Sequence, residues 1–324
     1  MKQFSRRFFL AVLLSMGCAS TYAQAVQSFP SRPVHIIVPF AAGSTTDHTA
    51  RFIGQRFTEL TKQPAVVENK PGANGFIGIQ HLLNQPADGY TFIITTSTTH
   101  ASNPSLFKKL PYDPVDDFVP LGGISIGGMV LAVEPSVKAR NVEELVALAK
   151  KAPGELTFGT SSSWTRAGGE LFKELAKVDM LYVPYKSAAE VVNDIIGGRV
   201  EIAFGDSISL MPHVRSGRLR ALGVSTRERM PGLEDVPTIA EQGLPDYELT
   251  GWLAAFAPRG TPPDVADRLN EVITSIVKSP EAADLFGKSG WRPMPTTRQQ
   301  LADFQKADIE LWSRIVKEAK MDVQ

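Results

Sequence analysis

An apolar run, Val34–Val38, meets a small-residue turn, and the turn opens a helix that carries Ala50, Ile53, Phe57 and Leu60 on one face. A buried strand feeding a helix through a short turn is the unit of open α/β sheets, and it constrains this chain more than any other feature. The unit recurs. Val66–Glu68, Thr91–Thr96, Leu156–Phe158, Leu181–Val183, Val200–Phe204 and Leu219–Val224 all read as strands. Two helices start at capping boxes, Asn141 with Glu144 and Ser187 with Glu190, and the second stops at Gly197-Gly198. Thr261-Pro262-Pro263-Asp264 starts another helix, with Val265, Leu269, Val272 and Ile276 inward. A last helix carries Leu301, Phe304, Ile309, Trp312 and Ile315. The pattern predicts an α/β protein of parallel or mixed sheets with helices on both faces, and 324 residues favour about two domains.

In such sheets ligands sit beyond the carboxyl ends of the strands. That rule selects five polar turns: 41–47, 95–103, 159–166, 185–187 and 205–209. Gly43-Ser44-Thr45-Thr46-Asp47 presents N–H groups and hydroxyls at a helix N-terminus, a seat for a carboxylate or another small anion. The plainer reading is a helix cap by Thr46 or Asp47, and the two are compatible. Thr95-Thr96-Ser97-Thr98-Thr99-His100 ends a strand on a run of hydroxyls, and His100 reads as a structural hydrogen-bonder rather than a catalyst. In Ser161-Ser162-Ser163-Trp164-Thr165-Arg166 the guanidinium is a candidate bidentate partner for a carboxylate, and the indole a cover for an apolar or aromatic ligand body. Lys186 could meet an anion or stand exposed at a helix start, and Asp206 could take a ligand amine or hydroxyl or cap a helix.

Enzyme chemistry finds little to work with. There is no His-x-x-x-His spacing and no pattern among His35, His48, His81, His100 and His213. No cofactor is implied. The chain has 34 basic and 34 acidic side chains with no block of like charge, which argues against nucleic-acid binding.

The first 25 residues read as an export signal. Lys2, Arg6 and Arg7 precede an apolar run from Phe8 to Cys18, and small residues allow cleavage after Ala23 or after Ala25. Ser5-Arg6-Arg7-Phe8-Phe9-Leu10 also resembles the twin-arginine consensus. Cleavage removes the single cysteine, Cys18, and with it disulfide and thiol chemistry; three basic side chains go too, leaving a mildly acidic protein. No other apolar run approaches the ~18 residues of a membrane span.

The segments FPSRPVHIIVPFAAGSTTD (29–47), VVENKPGANGFIG (66–78), THASNPSLFKKLPYDPVDDF (99–118), VPYKSAAEVVNDIIGGRVE (183–201), DVPTIAEQGLPDYE (235–248) and APRGTPPDVADRLN (257–270) together resemble the periplasmic solute-binding proteins of the tripartite tricarboxylate transporter family, the Bug-type receptors. The resemblance spans nearly all of the mature chain. It implies a periplasmic binding protein type II fold: lobe one over 26–127 and 250–324, lobe two over 128–249, ligand in the cleft between them. It implies that Phe40, Ala42, Gly43, Ser44, Thr46 and Asp47, with Thr95, Ser97, Thr98 and Thr99, grip one ligand carboxylate. Ser161, Ser162, Ser163, Trp164, Arg166, Tyr185, Lys186 and Asp206 of the second lobe would then set specificity. It further implies a monomer in the periplasm that delivers a small carboxylate to a two-subunit membrane permease. A sensor that docks on a membrane kinase is the alternative, and an enzyme acting on a carboxylic acid the third reading.

The specificity region departs from the family's usual pattern. Many members have Phe-Asp where this chain has Phe204-Gly205, with Asp206 next, and a Ser-Ser-His ending where it has SSSWTRAGGELF. Lacking the acid at 205 and having Arg166 and Trp164, the chain is expected to bind a dicarboxylate, in the favoured case an aromatic one such as a phthalate isomer.

Overall fold

The run Val34–Val38 forms strand β1, and the turn after it delivers helix α1, Thr45–Thr61. The Ser44 hydroxyl starts that helix by accepting the Asp47 N–H at 3.2 Å, and Lys62 in the left-handed conformation ends it. The computed structural model describes residues 29–323, so the export signal, its cleavage sites and Cys18 lie outside the described residues. Ala50, Ile53, Gly54 and Phe57 are buried, but Leu60, expected beside them, is exposed. The buried stripe stops at Phe57, and the chain leaves the helix through Lys62.

Alternation continues with β2 (Ala65–Asn69), α2 (Phe76–Leu83) and β3 (Thr91–Thr96), then a π-turn (Thr98–Ser102) that runs into the short α3 (Asn103–Leu106). Two consecutive strands follow, β4 (Phe118–Gly127) and β5 (Met129–Val133), then α4 (Val142–Lys151), β6 (Thr157–Thr160), α5 (Ser163–Ala176) and β7 (Leu181–Pro184). The order continues with α6 (Ala188–Ile196), β8 (Ile202–Asp206), α7 (Ser207–Arg215), β9 (Arg220–Val224) and β10 (Gly251–Pro258). It closes with α8 (Pro263–Val277), α9 (Pro280–Gly287), β11 (Arg292–Pro293) and α10 (Arg298–Glu318).

The strands form two mixed sheets. The first has the order β11-β4-β10-β3-β1-β2 and the second β7-β6-β8-β5-β9. In the first, β1 pairs in parallel with β2 and β3, while β10 runs antiparallel between β3 and β4. In the second, β6 is parallel to β7 and β8, and β5 runs antiparallel between β8 and β9. Helices flank both, giving an α/β fold of two lobes.

The chain passes between sheets twice, from β4 to β5 and again ahead of β10. One buried hydroxyl ties the two passages: Ser225 Oγ accepts the Met129 N–H at 2.9 Å and donates to the Leu249 carbonyl at 2.6 Å.

The sequence pattern overlooked β4, β5 and β10. β10 reads GWLAAFAP and is buried along its whole length. A strand enclosed on both faces shows no polar alternation, and its Ala and Gly are weak β-formers. Both anticipated capping boxes are also off by one residue. Asn141 and Ser187 accept the N–H of Glu144 and Glu190, but those carboxylates reach back to the N–H of Arg140 and Lys186 instead. Among the described residues no helix is long and apolar enough to cross a membrane.

Candidate functional site

Four strand ends, β1, β3, β6 and β8, open onto one cavity of about 800 Å³ between the lobes. Helices α1, α5 and α7 and the π-turn all begin at its wall. The first N–H groups of a helix have no intrahelical acceptor, so the wall is rich in free donors.

From the first lobe the cavity takes Phe40, Ser44, Thr45 and Thr46 after β1, and Thr96, Ser97 and Thr98 after β3. Asp47, Ala42 and Gly43, expected at the ligand, do not line it. The Asp47 carboxylate is buried and turned back into the loop. It accepts from the Gly43 N–H at 2.9 Å, Arg51 Nε at 3.1 Å and Asn69 Nδ2 at 3.0 Å, and Asn69 also holds the Phe40 carbonyl at 3.1 Å. Burial alone would raise its pKa, but the Gly43 N–H, Arg51 and Asn69 outweigh burial and hold it below the usual carboxylate value. Asp47 therefore shapes the turn after β1, while Ala42 and Gly43 are exposed at its tip.

Thr95 and Thr99 are likewise turned inward. Their hydroxyls meet at 2.6 Å, and Thr99 Oγ1 lies 2.9 Å from His100 Nδ1. His100 stacks on Phe256 with ring centroids 4.1 Å apart, and burial pushes its pKa down to about 3. It is a neutral core histidine. The pleat of β3 separates Thr95 from Thr96, and the π-turn then leaves Ser97 and Thr98 on the cleft and returns Thr99 to the core.

From the second lobe come Ser161, Ser162, Ser163, Trp164 and Arg166 at the start of α5, and Asp206 at the start of α7. Ser162 and Thr165 form a full capping box, which fixes the serine turn. Arg166 lies over the Tyr182 ring, 4.5 Å from its centroid. Its Nε is buried without a hydrogen-bond partner, and the nearest carboxylates, Glu170 and Asp322, stand 3.8 Å away. An unfilled guanidinium donor in a buried wall is costly and calls for an acceptor. The Trp164 indole N–H is also buried without a partner. Asp206 makes no side-chain bond to its own helix, and burial pushes its carboxyl up.

Tyr185 and Lys186 do not line the cavity. They follow β7, the edge strand of the second sheet, away from the β8 end; the Tyr185 hydroxyl donates to Asp194 at 3.0 Å.

Three tryptophans line the cleft, and two of them, Trp252 and Trp291, were not anticipated. Trp252 heads β10, its Nε1–H donating to buried Asp308 at 2.7 Å. Trp291 precedes β11 and lies flat on Gly127, where a Cβ would stand 2.6 Å from the indole. Trp164 and Trp291, one from each lobe, both pack on Gly251, the partner of Gly127 across β4 and β10. The one signal in the sequence was the tryptophan inventory: of four, only Trp312 sits wholly in a helix core. Among the described residues no three His, Cys, Asp or Glu side chains gather to hold a metal.

Residues 49–321 match the tripartite tricarboxylate transporter family receptor (TctC) family. The chain belongs to this family. The receptor is 33% identical over 320 residues to the UPF0065 protein in the tcbD-tcbE intergenic region of Pseudomonas sp. (strain P51), covering 98% of this chain and 95% of that one. It is 33% identical to protein BugT of Bordetella pertussis, covering 90% of each. Among solved structures it is similar to Rpa4515 of R. palustris with adipate, at 35% identity and a TM-score of 0.77, covering 90% of this chain and 98% of that one. MatC of Rhodopseudomonas palustris with bound malate is 28% identical, with a TM-score of 0.72, covering 89% and 100%. The family is one of transporter receptors, and its solved relatives include the periplasmic binding protein BugD, so the chain is a solute-binding receptor and not an enzyme.

Proposed function

We propose that this receptor captures a small dicarboxylate, favoured as an aromatic one such as a phthalate isomer, and delivers it to a two-subunit membrane permease. One carboxylate takes the α1 N-terminus and the hydroxyls of Ser97 and Thr98; the other takes Arg166. The observation that carries this reading is Arg166, its Nε buried without a hydrogen-bond partner, lining a cleft whose opposite wall is a helix N-terminus. Two relatives hold dicarboxylates, adipate and malate. Trp164, Tyr182 and Trp291 supply flat apolar wall for a ring.

In this reading residues 1–25 export a monomer to the periplasm. Lobe one comprises 26–127 and 250–324 and lobe two 128–249, and the lobes close on the ligand about the two passages joined by Ser225. Calorimetric titration with succinate, adipate, phthalate and glutamate tests it. Dicarboxylates should bind, and Arg166→Ala should cost about 2–5 kcal/mol of that affinity. A dissociation constant unchanged by Arg166→Ala would remove Arg166 from the site, and binding of glutamate alone would replace the ligand class.

A further inference from the structure

A second cavity of about 200 Å³ opens off the ligand cleft. The two share Thr45 on α1, Ile208 on α7 and Trp291, so the annex begins where the proposed carboxylate seat ends. Beyond that doorway Leu285 and Phe286 form its apolar wall, with His48, Thr49, Ser125 and Ser289 beside them. The one ammonium on its rim, Lys288, is already paired with Asp284 at 2.6 Å. The floor is fixed, because the Ser207 hydroxyl donates to the Ser289 carbonyl and ties the start of α7 to the loop after α9.

Ile208 is the telling residue. It is 55% exposed although it stands between the lobes, an aliphatic side chain aimed into open space at the junction of both cavities. An apolar pocket offers water few partners, and one of about 150 Å³ lined by Leu, Ile and Phe is known to take benzene.

We propose that the annex is an apolar subsite of this receptor, and that its ligand is a dicarboxylate bearing a phenyl-sized apolar substituent, seated against Ile208, Leu285 and Phe286. This inference rests on the dicarboxylate reading of the main cleft and names the shape of ligand that the cleft takes.

The test is calorimetric titration of the whole protein with succinate and with 2-phenylsuccinate, in the wild type and in His48→Trp and Leu285→Trp. Both substitutions put an indole into the annex. His48 is an exposed helix position, so at least that variant folds without repacking a core. The wild type should bind 2-phenylsuccinate at least about tenfold more tightly than succinate, as expected for burying one ring. That ratio should fall toward one in a folded variant. Succinate binding with a ratio near one in the wild type, or a ratio unmoved in both variants, overturns the annex and leaves the dicarboxylate reading standing. Binding of neither acid overturns the annex, and the dicarboxylate reading falls with it only if adipate and phthalate also fail to bind.

Discussion

Asp308 anchors the Trp252 wall of the cleft, and its burial makes a pH-dependent prediction. Its carboxyl is 6% exposed and accepts the Trp252 Nε1–H at 2.7 Å. Burial raises its pKa from the ordinary 3.8 to about 6, with the Trp252 hydrogen bond opposing the rise. The folded state therefore holds this proton more tightly than the unfolded chain does. Stability is greatest below both values and falls as pH rises from about 4 through about 6, by roughly 3 kcal/mol at 1.36 kcal/mol per pKa unit.

Asp308→Asn keeps the acceptor and removes the titration. The amide does not ionise, so the stability of the variant minus that of the wild type should climb by about 3 kcal/mol between pH 4 and pH 8 and level off above pH 7. A fixed cost of the new amide shifts that curve without changing its rise. Thermal melts of both proteins across that range should show the difference in Tm growing by about 6 °C, at about 2 °C per kcal/mol for a chain of this size. Trp252→Phe removes the donor that favours the ionised form and should move the fall in stability to higher pH. A difference that stays flat from pH 4 to pH 8 would refute the reasoning.

Asp47→Ala leaves the Gly43 N–H, Arg51 and Asn69 without their shared acceptor, so urea denaturation should show a loss of about 2–3 kcal/mol at pH 7, and ligand affinity should fall with it. The Asp47 pKa is lowered, so its contribution is present above the ordinary carboxylate value of about 4 and disappears as pH falls through the folded value; a penalty that grows as pH falls below about 4 would contradict that account. Gly169→Ala drives a Cβ into the Phe158 ring and should destabilise the second lobe by about 1–3 kcal/mol, read as a lower urea midpoint. An unchanged midpoint would mean that α5 can shift off the sheet at no cost.

The sequence by itself determined the elements whose signals are local. β1, α1, α4, α6 and α8 could be read because a cap, an apolar stripe or a helix stop lies within a few residues of each. The rule that ligands gather beyond strand ends then selected the turns that hold Phe40, Ser44, Ser97, Ser162, Arg166 and Asp206. Only the tertiary structure decided which side chains of those turns face the cleft. Thr95 differs from Thr96 by the pleat of β3, Thr99 differs from Ser97 and Thr98 by the π-turn, and Asp47 differs from Thr46 by a hydrogen-bond network closed by Asn69, 22 residues further along the chain. Trp252 and Trp291 reach the site through pairings between segments more than 100 residues apart, such as Gly251 with Gly127. Such pairings leave no local trace: a strand buried on both faces loses its alternation, and a long-range contact is set by the packing of the whole fold.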